Sequence, residues 1–147
     1  AFCALGGIAL EGIHQAEVVP GETVAVIGMG LVGQIVCRIL NAYGCDVIGY
    51  DVVDKTMPGT RLKAFINSGD DNAADMTKAL TRGRGVDKVI ITAATNSNAP
   101  MDLAAAIARD RGIICMIGVT QMNIDRRPYY ERELSFRIAR SYGAEGY

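Results

Sequence analysis

The chain has 147 residues, 50% apolar and 21% charged, which suits one domain with a real core. Its formal net charge of −1 offers no electrostatic case for nucleic acid or an anionic membrane as a partner. No apolar run approaches the ~20 residues that span a bilayer, and the first residues do not read as a basic-then-apolar leader.

Phe2 to Ala16 sets apolar residues at helical spacing and breaks at the turn Val19-Pro20-Gly21. Val24 to Ile27 is a short apolar run suited to a strand buried on both faces. Leu31 to Tyr43 carries Leu31, Val32, Ile35, Val36, Ile39 and Leu40 at helical spacing, and Gly44 ends it. Asp46 to Tyr50 reads as a second strand, so strand, glycine turn, helix and strand fit into about 28 residues, a βαβ unit.

Val52 to Pro58 reads as a loop, Arg61 to Asn67 as a short helix, and Asp71 to Ala74 as a short third strand. Ala73 to Arg82 looks helical and stops at Gly83-Arg84-Gly85. Val86 to Ala93 is a strand, Pro100 to Arg109 a helix ended by Asp110-Arg111-Gly112, and Ile113 to Ile117 a buried strand ended by Gly118. Leu134 to Ser141 alternates as a strand does. The fold class expected from this alternation is α/β, a doubly wound parallel sheet of about six strands with helices on both faces. Ligands of such sheets sit beyond the carboxyl ends of the strands, here Gly28, Asp51, Ala93 to Thr95, Gly118 and Ser141.

Cys3, Cys37, Cys45 and Cys115 form no C-x-x-C pair, and three lie in or beside apolar stretches. Reduced, mostly buried thiols of a cytoplasmic protein are expected.

The segment Val24-Ala25-Val26-Ile27-Gly28-Met29-Gly30-Leu31-Val32-Gly33 spaces its glycines G-x-G-x-x-G between a strand and a helix. Gly28 lets the chain leave the strand tightly, Gly30 clears the approach of a pyrophosphate, and Gly33 lets helix and strand pack closely. The helix from Leu31 aims unpaired amides and its positive dipole end at the phosphates. Asp51 lies 18 residues beyond Gly33 at the tip of the second strand. A carboxylate there accepts hydrogen bonds from both adenosine ribose hydroxyls and repels a 2′-phosphate, which favours NAD over NADP. Lys55 softens that preference. The competing reading is a structural turn beside a solvated aspartate. With 17 glycines in the chain, the glycine spacing alone is weak, and the strand, helix and acid in register carry the case.

The approach Val19-Pro20-Gly21-Glu22-Thr23-Val24-Ala25-Val26-Ile27-Gly28, followed by Gly83-Arg84-Gly85-Val86-Asp87, resembles the medium-chain dehydrogenase/reductase superfamily, and within it the zinc-type alcohol dehydrogenases of the threonine and sorbitol dehydrogenase-like branch. Glu133 to Gly143 is similar to bacterial members fused to a second oxidoreductase domain. The resemblance implies a Rossmann-fold cofactor domain over residues 1–147, part of a longer chain whose catalytic domain is absent here. It implies a pyrophosphate loop at Gly28, Met29, Gly30, Leu31, Val32 and Gly33 and a ribose-binding acid at Asp51. Ala93, Ala94 and Thr95 fall beside the adenosine half, and Ile117, Gly118 and Val119 at the nicotinamide. Ala139 and Ser141 fall on the last backbone contacts to the carboxamide. Cys3, 25 residues before Gly28, matches the place of one catalytic zinc ligand, in the intact enzyme only. The other reading of Cys3 is a small buried hydrophobe.

The implied activity is hydride transfer between a nicotinamide cofactor and an alcohol or carbonyl substrate. The 147-residue chain alone is expected to bind cofactor without turnover. The alternative is a dinucleotide-sensing regulatory module without catalysis. A homodimer through the last strand is expected as well. His14 reads as a surface or satisfied histidine. The cluster Arg126-Arg127 with Tyr129 and Tyr130 reads as a solvated loop, because Glu131 and Glu133 follow. One departure from the family is Pro58-Gly59, which interrupts the region Lys55 to Asp75 where members run a regular helix.

Overall fold

The computed structural model describes the backbone of residues 2–140 and the side chains of residues 4–140. Its elements run α1 (Phe2–Gln15), β1 (Thr23–Ile27), α2 (Leu31–Ala42), β2 (Asp46–Asp51), β3 (Ala64–Asn67), α3 (Ala73–Leu80), β4 (Val86–Ile91), α4 (Ala99–Ile107), β5 (Ala108–Met116), α5 (Arg126–Arg132) and β6 (Ser135–Ile138). The six strands form one sheet in the order β3-β2-β1-β4-β5-β6, and every neighbouring pair is parallel. The chain steps outward from β1 to β3, returns to lay β4 beside β1, then steps outward the other way. All strand tips therefore face one edge, and the strand order reverses between β1 and β4.

The apolar runs follow from burial on both faces. All six residues of β4 and the last four of β1 are buried. Alternate residues of β1 point to opposite layers. Val24 and Val26 join Ala9, Ile13, Val36 and Leu40 on the α1–α2 side. Ala25 and Ile27 join Met101, Ala104 and Ile107 on the α4 side. Each fully buried Val, Ile or Leu side chain contributes about 1.5–3 kcal/mol. No helix among the described residues is long and apolar enough to cross a membrane.

Five expectations are corrected. Arg61 to Asn67 is not a helix: residues 64–67 are β3, in register with β2 from Ile48↔Ala64 to Asp51↔Asn67. The β2 carbonyls take the flanking amides, Lys63 N–H donating to Val47 O at 2.7 Å and Ser68 N–H to Asp51 O at 3.0 Å. Phe65 and Ile66 then pack on opposite faces of the sheet. Residues 71–74 are not a strand but a turn running into α3, closed by the Ala73 amide on Asp70 O at 3.1 Å. Residues 100–109 are not one helix, because α4 stops at Ile107 and Ala108 is already extended at ψ 139°. Asp110-Arg111-Gly112 accordingly lies inside β5, where the register with β4 shifts. Residues 126–132 are a helix rather than a loop, capped by the Asp125 carboxylate accepting from the Arg127 amide and ended by Glu133 in the left-handed region. The expected strand from Leu134 is shorter, with β6 ending at Ile138.

The two segments that carry the family resemblance meet at the amino end of the sheet. Asp87 Oδ2 accepts from the Thr23 amide at 2.8 Å, and its Oδ1 accepts from Arg109 Nε at 2.6 Å and Arg84 Nη2 at 3.1 Å. Lys88 Nζ donates to Glu17 O at 2.8 Å and lies 3.6 Å from Glu22 Oε1. These charges are paired where β1 and β4 begin, at the end opposite the glycine turn. They lock the two central strands in register.

Candidate dinucleotide site

The site grows from the tips of β1, β2 and β4. Gly28 leaves β1 at φ 108°, a conformation only glycine adopts cheaply. A Cβ there would stand 2.6 Å from the Ala93 amide nitrogen. A Cβ on Gly33 would collide with the Gly28 carbonyl oxygen and stand 3.0 Å from Thr92 Oγ1. Between them Gly30 is exposed, with no atom within 4 Å of an added Cβ. The first and third glycines thus permit close backbone packing, and the second faces open space.

Helix α2 begins at Leu31 with no side chain capping its first turn. The amides of Leu31, Val32 and Gly33 have no acceptor within the helix, so its positive end faces the open side of the turn. Leu31 is exposed and Val32 half-buried.

Asp51 ends β2 with its side chain 14% exposed. Its Oδ2 accepts from the Met29 amide at 2.8 Å and from Lys55 Nζ at 3.2 Å, and its Oδ1 accepts from the Val52 amide at 2.7 Å. Burial pushes this carboxyl up, but the two amides and the ammonium outweigh burial and hold it below the ordinary value of 3.8. It is therefore an anion with acceptor capacity left on Oδ1. The Met29 amide is spent on Asp51, while the Met29 side chain is buried against Cys37.

A cavity of about 580 Å³ joins these parts, with Gly28, Gly30, Asp51, Ala93, Ala94 and Thr95 among its walls. Val52, Lys55, Ser68, Gly69, Pro100 and Leu103 also line it, and of these the sequence pointed to Lys55 alone as bearing on the cofactor. Ser68 and Gly69 come to the site because the preceding residues are β3 rather than a helix. The Thr92 hydroxyl donates to Gly28 O at 2.6 Å and welds the tip of β4 to the glycine turn. Ala93 N–H donates to Ile27 O at 3.1 Å, and Val119 N–H to Ala93 O at 3.0 Å. Ala94 and Val119 form an isolated parallel bridge, so the 93–95 segment and the 117–119 segment make one wall.

Ile117, Gly118 and Val119 lie along the same edge but do not line that cavity. The Ile117 and Gly118 amides both donate to Ile91 O, at 2.8 and 2.9 Å. The Ile117 side chain packs against Gly12 of α1, and Val119 is 75% exposed. Ala139 is buried, its amide on Met116 O at 2.9 Å. Ser141 and the Cys3 side chain lie outside the described residues. His14 is exposed on α1. Among the described residues, no group of three or more His, Cys, Asp or Glu is assembled for a metal ion.

Sequence reasoning passed over Gln34. It is 3% exposed, and it bonds the Met29 and Lys55 carbonyls and the Met57 amide. The one available signal was a polar residue on an otherwise apolar stripe of α2.

The topology and this crevice at the β1/β4 reversal define a doubly wound domain of the dinucleotide-binding kind. Comparison with known proteins narrows the class. The model of the zinc-binding dehydrogenase family matches residues 32–145, and the chain belongs to that family. Sorbitol dehydrogenase of Bacillus subtilis (strain 168) is 32% identical over 123 residues, which cover 76% of this chain and 33% of that protein. The zinc dependent alcohol dehydrogenase 2 from Streptococcus pneumonia, in its apo form, superposes with a TM-score of 0.84 at 26% identity, over 95% of this chain and 42% of that one. A protein of Sinorhizobium meliloti 1021, solved bound to NADP, superposes with a TM-score of 0.79 at 21% identity over 94% of this chain and 43% of that one. The chain spans less than half the length of the curated relatives it matches.

Proposed function

We propose that this chain is the NAD(P)-binding domain of a zinc-type alcohol dehydrogenase-like oxidoreductase that transfers hydride between a nicotinamide and an alcohol or carbonyl carbon. One observation carries the reading: the Asp51 carboxylate, the open Gly30 and the uncapped start of α2 converge on one cavity. The residues fit the group. Anionic phosphates match unpaired helix amides, and ribose hydroxyls match a charged acceptor.

The cofactor, when bound, supplies the hydride chemistry. The chain's own part is to bind and orient. Gly28 and Gly33 hold the turn close, while Gly30, Leu31 and Val32 open it to the pyrophosphate. Met29 holds Asp51, and Asp51 takes the ribose. Ala93, Ala94 and Thr95 wall the adenosine half. Ile117, Gly118, Val119, Ala139 and Ser141 are assigned to the nicotinamide end through the family resemblance. NAD is the preferred form and NADP a second one, because Lys55 stands on Asp51.

The catalytic residues, the substrate pocket and most of any zinc site belong to a domain beyond residues 1–147. Through the family resemblance Cys3 is read as one ligand of that zinc, which in the intact enzyme would polarise the substrate oxygen. Buried free thiols at Cys37, Cys45 and Cys115 support a reducing, cytoplasmic compartment. A homodimer through β6 is part of the reading, supported by its place at the sheet edge and by exposed Ile138. Sedimentation at rising concentration should give a dimer, and a monomer throughout rejects that part.

Calorimetric titration of the chain with NADH, NADPH and ADP-ribose tests the core of the proposal. NADH and ADP-ribose should saturate one site, with no alcohol oxidation. Failure of both to bind rejects the reading.

A further inference from the structure

We propose that Gln34 is a positioning residue that sets the charge of the ribose pocket, and with it the ratio in which the chain takes NADPH and NADH. The inference rests on the cofactor reading above.

Gln34 follows Gly33 on the inner side of α2, 3% exposed. Its Nε2 donates to Met29 O and to Lys55 O, both at 3.0 Å, and its Oε1 accepts from the Met57 amide at 3.3 Å. Three of the four bonding positions of the side-chain amide are thereby used. Lys55 Nζ reaches 3.2 Å to Asp51 Oδ2, the same oxygen that accepts from the Met29 amide. The contacts close a ring: Met29, Gln34, Lys55, Asp51 and back to Met29.

The loop that carries Lys55 is tied at its start by Asn67 Nδ2 donating to Val52 O at 3.2 Å and internally by the Thr56 amide on Asp54 Oδ1 at 2.9 Å, but at Lys55 itself the backbone tie is Gln34. Val52, Val53 and Met57 are exposed, and Arg38 anchors the chain only from Pro58 onward, donating to Pro58 O at 2.7 Å. The Lys55 side chain is 52% exposed and gains little by itself from a surface ion pair. Gln34 fixes the Lys55 backbone, and so keeps the ammonium within reach of Asp51.

That placement decides a chemical question. A ribose 2′-hydroxyl donates to a carboxylate whether or not a cation stands beside it. A 2′-phosphate carries about two negative charges and is repelled by a bare carboxylate. Lys55 on Asp51 cancels that charge and offers the phosphate a partner. Gln34 thus acts on nucleotide choice through Lys55, without touching the nucleotide.

The test is titration of the 147-residue chain and its Gln34→Leu, Lys55→Met and double variants with NADH and NADPH. Gln34→Leu should lower NADPH affinity about tenfold and NADH affinity about threefold or less, shifting the ratio toward NADH. Lys55→Met should shift the ratio in the same direction, and the double variant no further than the larger single shift. Gln34→Met keeps the length of the side chain without adding charge and loses both donors. It should give the same shift, and it carries the test if the Leu variant does not fold. A ratio that stays put while stability falls, or shifts that multiply in the double variant, overturns the inference. A parent chain that binds neither NADH nor ADP-ribose overturns the cofactor reading itself, which separates the two failures.

Discussion

The Met29 amide donates to the Asp51 carboxylate across 2.8 Å, so the glycine turn after β1 and the acidic tip of β2 form one rigid unit. The carboxylate is an acceptor already aimed and already ionised. Its Lys55 contact makes it less repulsive to added negative charge than an isolated aspartate would be.

Asp51→Asn should weaken NADH by about tenfold or more, the loss expected for a charged hydrogen bond of about 1.5–3 kcal/mol. NADPH should lose less, because Lys55 is then uncompensated. The pH dependence has a definite sign. The folded carboxyl lies below 3.8, so its contribution is fully present above the unfolded value and is lost only as pH falls through the folded one. Affinity should therefore be insensitive to Asp51 between pH 5 and 8 on the scale of that shift. Chain stability should carry an acid-side loss that the Asn variant lacks. Titration calorimetry and acid melts read the two effects.

Two neighbouring glycines should respond in opposite ways. Gly33→Ala drives a methyl into the Gly28 carbonyl, and should cost about 2–4 kcal/mol of stability by overpacking. Gly30→Ala meets no atom within 4 Å and has φ −73°, so its cost is confined to the poorer N-cap preference of Ala, about 1 kcal/mol or less. Nucleotide affinity should nevertheless fall, because the methyl occupies the approach to the turn. Urea melts beside NADH titrations distinguish the two. An unaffected affinity in Gly30→Ala would count against a phosphate there.

Asp87 offers the contrasting case of a charge with a structural role. Its removal orphans the Thr23 amide and takes a carboxylate from Arg84 and Arg109 at the amino end of the sheet, Arg109 keeping Asp110 O at 2.7 Å and Glu22 Oε2 at 3.9 Å. A fully buried pair would lose about 3–5 kcal/mol. Solvent reaches Arg84 at 63% exposure and Arg109 at 28%, so Asp87→Ala should cost about 2–3 kcal/mol. The nucleotide affinity of the fraction that folds should be unchanged. A large affinity loss at full folding would show that the two ends of the sheet are coupled.

Much of the site was legible because its signals are local. Val24 to Ile27 is apolar without alternation, three glycines follow at fixed spacing, Leu31 to Leu40 repeats at 3.6, and Asp51 stands one strand later. Each feature constrains only its neighbours, and together they define the βαβ unit found in the fold. The region from Arg61 to Ala74 was not legible, because four residues of strand carry too little pattern to oppose a helical reading. Pairing with β2 settled it, drawing Ser68 and Gly69 into the cavity wall.

The amino-acid order alone determined the alternating elements, the glycine turn, its acidic partner and the family. These rest on periodicity and backbone freedom, which act over a few residues. Only the tertiary structure decided that the Met29 amide serves Asp51, that Gln34 ties the turn to the Lys55 loop, and that the Gly83–Asp87 segment works at the far end of the sheet. Apart from the short step from Gln34 to Met29, those assignments join positions 21 to 64 residues apart. A donor finds its acceptor across such distances only once the sheet has set the geometry.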